Sequence, residues 1–221
     1  MSASLEVQRL RIVFAKEAEL RYISHLDLMR AWERALRRAR LPVAHTQGFN
    51  PRPRLLFAAA LAVGWTGSAE LLDLFLEQRV DLRLAARALL VQLPPGLEVS
   101  SITEVDLTLP SLPAQVSAAE YRIELAPGPS AAELGERVAR LLAATSLPRR
   151  RERPDGVRSY DLRPLVQELR GGLENGCPLL WARLQADGTA TGRPDELVDE
   201  LGLGPWLRSI ERVQILFKSG V

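Results

Sequence analysis

The chain has 221 residues, 47% hydrophobic and 25% charged, which is the balance of an ordinary globular protein and not of a disordered one. Net charge is only +2, no apolar run approaches the roughly 20 residues of a bilayer-spanning helix, and residues 1–8 carry no apolar signal core, so the expectation is a cytoplasmic protein with no membrane partner. A single cysteine, Cys177, and two histidines, His25 and His45, exclude an intrachain disulfide and leave too few ligands for a self-contained zinc or iron–sulfur site, so no metal and no cofactor are expected.

Alternating apolar residues predict a strand over 7–14, with a second short strand over 20–23. A helix then starts at Ser24, a good N-cap, with Asp27 as the acidic partner three residues on. Leu28, Met29, Trp32, Ala35, Leu36 and Ala39 form its apolar face, and Pro42 closes it. Residues 45–54 (HTQGFNPRPR) read as a loop. Strands are predicted over 55–61, 71–76 and 97–107, with a helix over 82–93 that stops at Pro94. Residues 108–117 read as a linker. A strand over 121–125 follows, then a helix over 130–144 and a hairpin over 147–161 turning at Pro154, Asp155 and Gly156. After it come a short helical piece over 163–169, a strand over 179–185, a helix over 193–201 and a closing strand over 210–217. The element order predicts an α+β fold of two ferredoxin-like (βαββαβ) lobes with antiparallel sheets, one over 1–109 and one over 118–221.

Residues 20–63, LRYISHLDLMRAWERALRRARLPVAHTQGFNPRPRLLFAAALAV, carry a long and specific pattern. They resemble the opening of the radical SAM-linked family, a bacterial domain of unknown function. Residues 117–125 (SAAEYRIEL), 160–165 (YDLRPL) and 188–203 (GTATGRPDELVDELGL) fit the same family, whereas AVGWTGSAELLD at 62–73 departs from its acidic SEAEYLD segment. The resemblance implies an accessory role beside, or fused to, a radical SAM protein, often near a ribonuclease of the E/G type. This chain lacks the CxxxCxxC cluster motif, so it is not itself the radical SAM enzyme.

Two regions hold candidate chemistry. Ser24, His25 and Asp27 sit where a strand hands over to a helix. Capping accounts for Ser24 and Asp27, while His25 is a candidate acid/base. In the 45–54 loop, Gln47 and Asn50 offer amides, Arg52 and Arg54 charge, and Phe49 a stacking face, with Gly48 allowing a tight backbone. That inventory matches single-stranded nucleic-acid recognition. Arg30, Arg34, Arg37 and Arg38 form a basic stripe opposite the apolar face of the first helix, either a solvated surface or a phosphate contact. Of the 29 basic residues 27 are arginine, and a G+C-rich genome also produces that bias. Arg149, Arg150, Arg151 and Arg153 make a second cluster.

Three functions follow as expectations. The first is an RNA-binding accessory protein working with a radical SAM partner or RNA-processing machinery. The second is a metal-independent RNA-cleaving or RNA-modifying enzyme that uses His25. The third is a protein-interaction module that docks on a radical SAM subunit.

Overall fold

The computed structural model describes residues 6–47, 49–153 and 156–219. The fold is α+β, with β-sheet and several helices, and the chain divides into two compact units: residues 1–116 with 217–221, and residues 117–216.

In the first unit, β1 (Gln8–Lys16) is followed by α1 (His25–Arg38), β2 (Leu55–Phe57), β3 (Thr66–Leu76), α2 (Leu82–Leu90) and β4 (Leu97–Val105). The strands lie in the order β4-β1-β3-β2, each pair antiparallel. Side chains alternate along β1, so Leu10, Ile12 and Phe14 face one side and meet Leu72, Leu74 and Leu76 of β3 in the core. Leu28, Trp32, Ala35 and Leu36 of α1 complete that core. The opposite side of β1 carries Arg9, which is 2% exposed and held by Asp73, itself fully buried.

Ser24 caps α1 as expected, its Oγ accepting the Asp27 N–H at 3.1 Å. The helix ends earlier than Pro42 implies. Its last residue is Arg38, and Arg40 turns the chain at φ 55°. Residues 20–23 do not form the expected strand. A 3-10 helix over Ala18–Leu20 and a turn at Arg21 and Tyr22 occupy this stretch, closed by the Arg21 and Ile23 N–H groups donating to the carbonyls of Ala18 and Leu20. The expected linker is also partly built. It contains a short helix, α3 (Leu112–Gln115), with Leu112 and Gln115 buried, and Arg9 donates to the carbonyls of Leu109 and Pro110 at 2.7 and 2.9 Å.

The second unit runs β5 (Val116–Leu125), α4 (Ala131–Ala143), β6 (Pro148–Arg153), β7 (Gly156–Asp161), β8 (Val166–Glu174), β9 (Cys177–Gln185), α5 (Pro194–Glu200) and β10 (Leu207–Phe217). Its strand order is β10-β5-β9-β8, with β6 and β7 forming a separate antiparallel hairpin. Pro154 and Asp155, the expected turn residues, lie outside the described residues.

The short helical piece expected over 163–169 is corrected. Only Arg163–Leu165 coils, and β8 begins at Val166 and pairs with β9. Gly171 lets α4 approach, since a β-carbon there would come within 3.2 Å of Leu134, Val138 and Leu180.

Candidate functional site

In the first unit, the sequence-predicted residues divide into those that structure consumes and those that remain on the surface. Ser24 and Asp27 are consumed. Ser24 Oγ donates to Asp27 Oδ2 at 2.7 Å and Arg30 donates to Asp27 Oδ1 at 3.1 Å. The Ser24 hydroxyl, with Arg30 beside it, keeps the Asp27 carboxyl below its ordinary range.

His25 is half-buried, edge-on to Phe57 at 5.1 Å. Phe57 in turn meets Phe14 at 6.1 Å, and Phe14 meets Trp32 at 5.1 Å. The imidazole is thus the outer end of an aromatic chain rooted in the core.

The arginine stripe is not uniform. Arg30 belongs to the helix cap. Arg38 reaches across to the end of α2, where it donates to the Gln92 carbonyl at 2.6 Å and to Gln92 Oε1 at 3.2 Å. Arg34 and Arg37 stay exposed and line a groove of about 360 Å³ together with Glu33, Leu36, Leu41, Val43, His45 and Pro53. The helix and the loop therefore share one concave surface.

The loop is shaped at its base. His45 and Pro53 form an isolated bridge, Thr46 N–H donates to the Arg52 carbonyl at 2.8 Å, and Arg52 N–H donates to Thr46 Oγ1 at 3.1 Å. Backbone bonds from Ala44 to Phe75 (2.8 Å) and from Phe75 to Arg54 (3.3 Å) stitch that base to β3. The excursion beyond it is solvent-facing: Gln47, Phe49, Asn50 and Arg52 are exposed, and Phe49 has no shielding at all, at 106%. Gly48 lies outside the described residues. Arg54 differs from Arg52, because its guanidinium lies 4.6 Å over the Phe75 ring and pairs with Glu6.

Sequence reasoning did not single out His45 or Glu33 as site residues. The signal was present, since His45 opens the distinctive loop and Glu33 neighbours Arg34, but only the folded geometry brings them to one groove. In the second unit, Arg149 is drawn onto α5, bonding the Glu196 carbonyl at 2.6 Å and Glu200 at 3.0 Å. Among the described residues, no group of three or more His, Cys, Asp and Glu side chains is placed to hold a metal ion. Nor is any described helix long and apolar enough to cross a membrane.

A search of curated proteins finds no match to this chain. The profile of a family described as "Uncharacterized protein conserved in bacteria (DUF2344)" matches residues 9–193, a span that includes α1, the 45–54 loop and the hairpin of the second unit. Co-occurrence of that family with radical SAM proteins is consistent with a role associated with or accessory to radical SAM machinery. The chain belongs to DUF2344, a bacterial family of unknown function known to occur with radical SAM proteins.

Proposed function

We propose that this protein is an RNA-binding accessory factor of radical SAM machinery, and that it holds single-stranded RNA in the groove between α1 and the 45–54 loop. The observation that carries the reading is the shared groove. Arg34 and Arg37 stand on one wall and His45 and Pro53 on the other, with Phe49 fully exposed on the loop that rises from that wall. Guanidinium groups attract the phosphate backbone, and an exposed ring offers a base something to stack on.

On this reading each unit is a ferredoxin-like lobe, with the two domains spanning 1–109 and 118–221. The repeated sheet order supports it: β4-β1-β3-β2 in the first unit and β10-β5-β9-β8 in the second. The β6–β7 hairpin is then an insertion in the second lobe. Arg52, at the loop base, tracks phosphate, and Arg54 stiffens the loop. Arg30 and Arg38, bonded within the protein, contribute less than Arg34 and Arg37.

The test is fluorescence anisotropy of a labelled single-stranded RNA against the parent and the double variant Arg34→Ala/Arg37→Ala. The expected result is weaker binding and a shallower dependence of log K on log salt, by about 0.7 for each phosphate that is no longer neutralised. Unchanged affinity and slope would overturn it.

A second reading, docking on a radical SAM subunit, draws on exposed apolar residues: Tyr22 at 76%, Val63 at 55% and Leu26 at 46%. It expects a complex that survives nuclease treatment. Histidine-dependent RNA cleavage finds less support, because Ser24 and Asp27 beside His25 are bonded to each other as a cap.

A further inference from the structure

Glu33 lies in the groove beside α1, where phosphate contacts alone give it no role. It stands next to Arg34 and one helical turn before Arg37 on the same wall. A carboxylate there repels every phosphate that those guanidinium groups attract. A groove that only tracked a phosphate backbone would be better built without it.

The charged groups of this wall are unspent. Arg30 is held by Asp27 and Arg38 by Gln92, whereas among the described residues the side chains of Glu33, Arg34 and Arg37 have no ion pair or hydrogen bond. Glu33 and Arg37 have the spacing at which helical ion pairs form readily, and they are still not paired. Both oxygens of the Glu33 carboxylate are therefore available to a ligand.

The rest of the groove suits a flat, largely apolar ring. Leu36 and Val43 are buried at its floor, and Leu41 is half-buried beside them. The His45 imidazole offers a stacking plane on the opposite wall. Both walls are fixed. One is a capped helix, and the other is held by the His45–Pro53 bridge and the backbone bond from Ala44 to Phe75. At about 360 Å³ the hollow is at the small end of the roughly 300–1,000 Å³ typical of small-molecule sites, room for one base and its sugar.

An ionised carboxylate is an acceptor and nothing else. Guanine places N1–H and N2–H side by side on its pairing edge, one donor for each oxygen. Adenine and cytosine set a ring-nitrogen acceptor beside their amino group, and uracil flanks its single N–H with two carbonyls. Each of those three brings a lone pair against the carboxylate. Single-stranded RNA exposes this edge, and proteins that recognise it read the edge directly.

We propose that the groove selects guanine, with Glu33 accepting both hydrogen bonds from its pairing edge. The ring lies over Leu36, Val43 and Leu41, and Arg34 and Arg37 take the flanking phosphates. The inference rests on the RNA-binding reading above and adds which base that site takes.

Fluorescence anisotropy of the full chain tests it, with short oligouridines that carry one central guanosine, adenosine, cytidine or inosine. The guanosine oligomer is expected to bind about tenfold more tightly than the adenosine and cytidine ones. Inosine, which keeps N1–H and lacks the amino group, falls between. Glu33→Gln exchanges one acceptor for a donor, so the preference moves from guanosine to adenosine while the salt slope stays the same. Equal binding of all four oligomers by the parent chain overturns the proposal, as does a guanosine preference that Glu33→Gln leaves unchanged. A Glu33→Gln variant that binds every oligomer more tightly by one common factor also overturns it, because the carboxylate then acts only by repulsion. If Arg34→Ala/Arg37→Ala weakens every oligomer and the parent shows no base preference, the guanine assignment falls and the RNA reading stands. No RNA binding by the parent chain overturns both.

Discussion

The guanidinium of Arg54 lies 4.6 Å over the ring of Phe75, whose other guanidinium neighbour, Arg9, is 5.3 Å away. This contact distinguishes two arginines that the sequence presents as equivalents, Arg52 and Arg54. One is a surface cation, and the other fastens the loop to β3. Arg54→Ala is expected to lower unfolding free energy by about 0.5–1 kcal/mol, whereas Arg52→Ala leaves it unchanged within error. Urea denaturation followed by circular dichroism checks both. Equal effects would mean that the ring contact contributes nothing to the loop.

Asp73 is the heaviest electrostatic commitment in the first unit. Fully buried, it accepts from Arg9 at 2.9 Å and from Arg11 at 2.8 and 3.0 Å. Removing one partner from a buried ion cluster strands the other charges away from water. Asp73→Ala is expected to cost about 3–5 kcal/mol and to release the segment that Arg9 holds through the Leu109 and Pro110 carbonyls. Denaturant titration gives the first result, and increased amide hydrogen exchange over 109–115 gives the second. A loss below about 1 kcal/mol would contradict it.

Glu196 runs against the usual carboxylate trend. Burial pushes its carboxyl up from 4.5, opposed by Arg151 and Arg149, and its Oε2 is buried without a hydrogen-bond partner. A carboxyl with a raised folded-state pKa binds more protons folded than unfolded. The protein is therefore favoured at low pH and loses that contribution as pH rises through and above the ordinary carboxylate range. Glu196→Gln is expected to raise the melting temperature at pH 7, with the advantage shrinking toward pH 4. An equal difference at both pH values, or a loss at pH 7, would refute the burial argument.

Much of the first helix was readable before folding. Ser24, Asp27 and the spacing of Leu28, Trp32, Ala35 and Leu36 define a capped amphipathic element by local rules alone, and all four apolar residues are buried. The stripe on its polar face was readable as a stripe, but its division was not. Arg38 finds Gln92 only because α2 ends beside α1, a relation between residues 54 positions apart. Strand β8 was read in part as a helical piece for a related reason: its pairing with β9 is a relation between strands that the local pattern over 163–169 does not carry.

Ultraviolet crosslinking of bound single-stranded RNA to the intact protein, with peptide mapping by mass spectrometry, reads the contact surface most directly. Crosslinked peptides are predicted from the loop that carries His45 and Phe49, and they should disappear when Arg34 and Arg37 are replaced by alanine. RNA bound with no crosslink anywhere in residues 45–54, and unaffected by those replacements, would contradict the groove as the binding surface.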